Sequence, residues 1–175
     1  MAQYDYSAQR ERYLPPSGVK VLFVGESAPD PSAKEIRFFY CPVLTAADNL
    51  FRGIMLALYR ADKQALASTS KMWWLKRLQS GGYYLADLCA VPVNLLPAAH
   101  RRQARKAAIP DLLNRIETLS PRGIIICHGA TYADIVDSLR KNRLPLLHDR
   151  PIPFPLGSYR VRFAEEVRMA LSRLR

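Results

Sequence analysis

Three short apolar runs, each bounded by glycine or proline and separated by stretches of helical periodicity, constrain this chain more than any other feature. Val19-Lys20-Val21-Leu22-Phe23-Val24 is nearly continuous, Tyr83 to Val91 follows Gly81-Gly82 and stops at Pro92, and Gly123-Ile124-Ile125-Ile126-Cys127 follows Pro121. Runs of this length with little alternation are the mark of strands buried on both faces of a parallel sheet. Between them, Leu50, Phe51, Ile54, Met55 and Leu58 recur at helical spacing within 48–61, a further helix is expected after Ser70, and Ile109, Leu112, Leu113, Ile116 and Leu119 form another stripe. Tyr132, Ile135, Val136 and Leu139 mark a helix after the third run, and Phe163, Val167, Ala170, Leu171 and Leu174 a terminal one. Strands alternating with helices imply βαβ crossovers, so the expected fold is α/β: a three-layer α/β/α arrangement around a central, mostly parallel sheet of four strands. At 175 residues the chain suits one core. Residues 1–18, ending Pro15-Pro16-Ser17-Gly18, are expected to form an N-terminal arm, and 19–175 the α/β domain.

No apolar stretch approaches the roughly 20 residues of a membrane span, and the first residues lack a signal peptide's apolar segment, so a cytoplasmic protein is expected. Cys41, Cys89 and Cys127 lie far apart with no CxxC pair, which argues against a disulfide framework and against a four-thiolate metal or cluster site. The 26 Lys and Arg against 15 Asp and Glu give a net charge of +11, which favours encounter with polyanions such as DNA or RNA. The alternative is a surface excess that serves solubility.

In open parallel sheets the ligand crevice lies beyond the carboxyl ends of the strands. Glu26 to Asp30, Asp87 to Asn94 and His128 to Thr131 are therefore expected to converge. Four segments at these places match a known pattern in order. Val21 through Gly25-Glu26-Ser27-Ala28-Pro29, Arg37-Phe38-Phe39-Tyr40, Tyr84-Leu85-Ala86-Asp87-Leu88 to Pro92, and Pro121 through Cys127-His128-Gly129-Ala130-Thr131 resemble the uracil-DNA glycosylase superfamily. The resemblance is to the branch whose first motif reads Gly-Glu-x-Pro-Gly, and it spans roughly 19–174. Phe154-Pro155-Leu156 falls where that family carries a His-Pro-Ser loop, and Asp87 where it carries the Asn that reads uracil.

The resemblance implies hydrolysis of the N-glycosidic bond of a damaged or deaminated base in DNA, flipped or single-stranded; the iron–sulfur cysteines of some relatives are absent from this sequence, so no cofactor, metal or iron–sulfur cluster is expected. Glu26 is then the carboxylate that stabilises a cation-like sugar and orients water, with Asp30 in reserve; otherwise it holds its turn by accepting backbone N–H groups. Phe39, ahead of Phe38, offers a stacking face, or both are core residues. An ionised Asp87 only accepts hydrogen bonds, whereas an amide donates and accepts; Asn94 could supply that amide, and Asp87 could instead cap its turn. Ser27 lies beside the site. His128 could meet a leaving base, or bond a nearby backbone group. Arg37, the run Arg101, Arg102 and Arg105 near a helix start, and Arg160 and Arg162 with Tyr159 are candidate phosphate contacts, with Phe154 or Leu156 as a wedge; solvated helix faces are the alternative. Two further functions stay open: a non-catalytic nucleic-acid-binding module, and an enzyme acting on a free nucleobase or nucleotide.

Overall fold

A computed structural model describes residues 5–30 and 38–174. The elements run α1 (Tyr6–Arg12), β1 (Val21–Ser27), α2 (Asn49–Tyr59), α3 (Lys63–Ala67), α4 (Lys71–Ser80), β2 (Tyr83–Cys89), α5 (Ala98–Ala107), α6 (Ile109–Leu119), β3 (Gly123–Ile126), α7 (Gly129–Lys141) and α8 (Tyr159–Leu171). The strands form a parallel sheet of order β2-β1-β3, flanked by helices, with Val21 opposite both Tyr83 and Gly123. Central β1 is buried from Val21 through Gly25, as its unbroken apolar run requires.

Several boundaries differ from the sequence expectation. The first strand begins at Val21 rather than Val19 and continues through Glu26 and Ser27, because Gly25 pairs with Asp87 and Ser27 with Cys89 through the backbone alone. Gly25-Glu26-Ser27 is thus the end of a strand and not a turn. The second strand stops at Cys89, two residues short of Val91.

Among the described residues the sheet has three strands, not the four expected. A single bridge between Ile124 and Leu146 stands where a fourth strand would pair. There the Ile124 N–H donates to Pro145 O at 2.8 Å and the Leu147 N–H to Ile124 O at 3.0 Å. His148 Nε2 then accepts from the Ile126 N–H at 2.9 Å, so a side chain replaces the next ladder bond. Its Nδ1 lies 2.7 Å from Arg150 O, which places the ring proton on Nδ1 and makes this histidine neutral. The opposite edge is closed in the same way. The Tyr40 hydroxyl accepts from Leu85 N–H at 2.7 Å and donates to Leu85 O at 3.0 Å, and Arg115 Nη2 donates to Leu88 O at 3.0 Å. Both edges are thereby protected from pairing with another chain.

Helices α1, α3 and α4 start where short polar side chains cap them: Asp5 accepts from Ala8 N–H, Asp62 from Ala65 N–H and Ser70 from Trp73 N–H. Helices α2 and α8 pack tightly together at Gly53, where a Cβ would stand 2.9 Å from Phe163 Cδ1 of α8 and 2.7 Å from Pro155 Cβ in the loop before it. Within the expected arm, α1 is followed by Tyr13, which is buried and stacks on Tyr40 at 5.5 Å. The basic run occupies the length of α5 rather than its start, with Arg105 and Lys106 in the last turn, where the macrodipole favours cations. No helix among the described residues is long and apolar enough to cross a membrane.

Candidate active site

The carboxyl ends of the three strands open onto one cavity of about 420 Å³, within the usual range for ligand pockets. Glu26 reaches it from the end of β1, Asp87 from β2, and His128 from the residue that caps α7 after β3. Gly25 is what permits this convergence. A Cβ at that position would stand 2.6 Å from Asp87 Oδ1, so the Asp87 carboxylate lies over the bare backbone of β1.

Glu26 is held by two arginines from α5. Arg101 donates from Nε to Oε1 at 2.8 Å and from Nη2 to Oε2, and Arg105 Nη1 donates to Oε1 at 2.7 Å. Arg105 also donates from Nε to Asp134 Oδ2 at 2.6 Å, and Arg102 Nε contacts Asp134 Oδ1 at 3.3 Å. Three cations thus share two carboxylates. Burial pushes the Glu26 carboxyl up, but the hydrogen bonds and charges of Arg101 and Arg105 outweigh it and hold the group below its ordinary value. Glu26 is therefore an ionised carboxylate at neutral pH. Arg101 alone of the pair lines the cavity and is a third exposed, whereas Arg105 is nearly enclosed.

Asp87 is buried and pairs with Arg10 of α1, whose Nη2 lies 2.6 Å from Oδ2. Burial holds the Asp87 carboxyl above its ordinary value, and the Arg10 guanidinium offsets that only in part. Phe38 and Phe39 both line the cavity yet belong to the core, with Phe38 edge-on to Tyr6 and Phe39 edge-on to Phe51. A buried pair beneath them fixes their backbone: Lys71 Nζ donates to Asp48 Oδ2 at 3.1 Å and to Phe38 O at 3.3 Å. Asp48 Oδ2 in turn accepts from Thr45 N–H at 2.8 Å.

His128 caps α7, its Nδ1 accepting from Thr131 N–H at 3.4 Å, which leaves the proton on Nε2. Burial lowers its pKa, so the ring is neutral near pH 7, and its centre lies 6.0 Å from that of the Phe154 ring in an edge-to-face arrangement. Cys127 also reaches the cavity, but burial pushes its thiol far above the range of a thiolate nucleophile.

Ser27 and Asn94 complete the rim. Ser27 Oγ accepts from Val93 N–H at 3.2 Å, and Asn94 Oδ1 from Asp30 N–H at 3.0 Å, so both tie the β2–α5 loop to the end of β1. Phe154 lines the cavity and Leu156 is exposed beside it in sequence. Arg102, Arg105, Tyr159, Arg160 and Arg162 do not line it; Arg160 Nη2 donates to Asn49 Oδ1 at 3.0 Å, and Tyr159 and Arg162 are exposed. Arg37 lies outside the described residues.

Sequence reasoning missed Arg10, Lys71, Asp48 and Asp134. The first two act on residues 77 and 23 positions away, so no local spacing announced them. Among the described residues no cluster of His, Cys, Asp or Glu could hold a metal ion.

No curated relative and no solved structure matches the chain. The model of the uracil DNA glycosylase superfamily matches residues 11–171, a span that takes in β1, β2, β3 and every strand-end residue of the cavity. The chain belongs to the uracil DNA glycosylase superfamily.

Proposed function

We propose that this protein is a DNA glycosylase that hydrolyses the bond between a damaged or deaminated base and its sugar. Superfamily membership points to DNA glycosylase-like chemistry, and one observation carries the finer reading. Ionised Glu26, Asp87 and neutral His128 share one cavity with two aromatic rings, on three adjacent strand ends. In this reading the flipped base stacks on Phe39, with Phe38 beneath it. As the C1′–N bond breaks, its electron pair leaves with the base and positive charge develops on the sugar. Glu26 stabilises that charge and accepts a hydrogen bond from the water whose oxygen attacks C1′. His128 Nε2–H hydrogen-bonds to the departing base anion and keeps its proton, the base takes a proton from solvent, and the attacking water's proton passes to solvent. Phosphates meet Arg37, Arg101, Arg102, Arg160 and Arg162, with Tyr159 alongside and Phe154 or Leu156 at the base stack, whereas Arg105, enclosed between Glu26 and Asp134, is withdrawn from them. Asn94 and Ser27 border the substrate.

A second reading is a binding module of the same fold without chemistry. It is favoured by the engagement of both Glu26 oxygens by arginine, which lowers the carboxylate's readiness to orient water. The readings separate when labelled single- and double-stranded oligonucleotides carrying uracil, hypoxanthine, xanthine or an oxidised base are incubated with the protein. Abasic product establishes the glycosylase. Affinity that falls steeply with salt, without abasic product, establishes the module. Weak, salt-independent binding overturns both.

A further inference from the structure

We propose that Arg101 is a positioning residue that latches Glu26 until a phosphate of the substrate strand draws it away, so that the carboxylate is released only on a phosphate-bearing substrate. The inference rests on the glycosylase reading given above. In that reading Arg101 meets a phosphate, yet in the structure it grips Glu26 with two donors, Nε on Oε1 at 2.8 Å and Nη2 on Oε2. The same two donors cannot serve both anions at once.

The two arginines on Glu26 are not equivalent. Arg105 donates from Nη1 to Glu26 Oε1 at 2.7 Å and from Nε to Asp134 Oδ2 at 2.6 Å, and its side chain is nearly enclosed. It is fixed from both sides. Arg101 has Glu26 as its one side-chain partner among the described residues, lines the cavity, and is 32% exposed along its side chain. Of the pair, only Arg101 both faces the substrate and has room to turn. Among the described residues Oε2 accepts from Arg101 alone, so departure of Arg101 frees that oxygen and leaves Oε1 on Arg105.

The exchange is chemically balanced. A guanidinium meets a carboxylate or a phosphate through the same kind of charge-assisted, two-pronged contact, so Arg101 gives up one such pair and gains another. Glu26 is not left as an uncompensated buried charge, because Arg105 stays. Three arginines here face two carboxylates, and the surplus cation calls for an anion from outside. Arg102, next to Arg101 in α5 and well exposed, offers the same strand a second contact. With the latch closed, arginine donors fill three of the roughly four lone-pair positions of the carboxylate, and their departure in part restores its capacity to orient water. A nucleoside, which brings base and sugar without phosphate, would leave Glu26 latched.

The test reads the Glu26 carboxyl carbon by ¹³C NMR at pH 7, in protein labelled at glutamate, the resonance being the one lost in Glu26→Gln. Wild type and Arg101→Gln are each measured alone and saturated with a single-stranded pentanucleotide whose central residue is a tetrahydrofuran abasic analogue, which presents phosphates but no base to release. On binding, the wild-type resonance is expected to shift to the position it has in Arg101→Gln, and the variant's resonance to move far less. Deoxyuridine added to wild type is expected to leave the resonance in place. A wild-type resonance that stays fixed at saturation, or moves equally in both proteins, overturns the proposal, as does failure of wild type to bind the oligonucleotide. A shift with deoxyuridine as large as that with the oligonucleotide also overturns it. If Arg101→Gln does not fold, by thermal unfolding, Arg101→Lys decides: one ammonium lacks the planar fork that spans both oxygens, so its shift on binding is expected to be smaller than that of wild type, and an equal shift overturns the proposal. Base release from uracil-carrying oligonucleotides is followed separately. A phosphate-dependent shift without abasic product supports the latch and removes only the catalytic claim, whereas abasic product with a fixed resonance removes the latch and leaves the glycosylase reading standing.

Discussion

Arg105 joins Glu26 to Asp134: its Nη1 lies 2.7 Å from Glu26 Oε1 and its Nε 2.6 Å from Asp134 Oδ2, with all three side chains at most a tenth exposed. A lone Glu26 carboxylate at this depth would be raised by burial. Arg101 and this bridge together keep it an anion, and the bridge fixes α5 and α7 to the end of β1 at the same point.

Arg105→Met leaves two enclosed carboxylates with less compensation. Breaking a buried ion pair in this way costs about 3 kcal/mol or more, so the variant is expected to unfold at markedly lower urea concentration than wild type. A loss below about 1 kcal/mol, the scale of an exposed pair, would contradict the structural role given to the bridge.

The acid limb of activity follows from the same geometry. Glu26 is held below its ordinary value of 4.5, so it stays ionised as pH falls to that value and protonates only through a lower one. Its contribution to stability has the same sign: present above 4.5 and lost as pH falls through the folded-state value. In Arg101→Gln the acid limb of kcat/KM is expected to move to higher pH. An unchanged limb would mean that Glu26 does not set it.

His148 gives a separate pH signature. Burial lowers its pKa from 6.5, and protonation at Nε2 would also break the bond accepted from Ile126 N–H. The unfolded chain therefore binds the proton more readily, and the stability this residue contributes is complete above pH 6.5 and is lost as pH falls through the lower folded-state value. His128 adds a term of the same sign, so the informative quantity is a difference. His148→Leu is expected to unfold at lower temperature than wild type at pH 8, and the gap should narrow as pH falls toward 5. A constant gap would show that His148 does not titrate with unfolding.

Gly25→Ala sets a methyl group 2.6 Å from Asp87 Oδ1, so Asp87 or β1 must move. Overpacking of this kind costs about 1–3 kcal/mol, and thermal unfolding should report it together with weaker base binding. Unaltered stability and binding would show that the close approach has no consequence.

Much of the fold was legible in the sequence because parallel strands buried on both faces leave continuous apolar runs. That rule found the bodies of β1, β2 and β3 and the convergence of Glu26, Asp87 and His128. It could not find the last residues of β1, whose pairing with β2 is made by backbone and carries no hydrophobic signal. The expected count of four strands had no fourth apolar run behind it, and Pro145 O and His148 close that edge of the sheet instead. Helices α1 and α5 were obscured for a different reason. α1 has no buried residue and α5 buries only Arg105, so neither carries an apolar stripe. The ion pairs that shape the cavity were invisible, since Arg10 and Arg101 meet their carboxylates 77 and 75 residues away.

The central claim is that Glu26 serves the chemistry and not only the architecture, and single-turnover base release by wild type and Glu26→Gln tests it most directly. With a single-stranded oligonucleotide carrying the preferred base, wild type is expected to generate abasic product, and Glu26→Gln to do so more slowly by about 10²- to 10⁴-fold with similar affinity for the oligonucleotide. Equal rates in the two proteins, or no abasic product from wild type with any base tested, would contradict it.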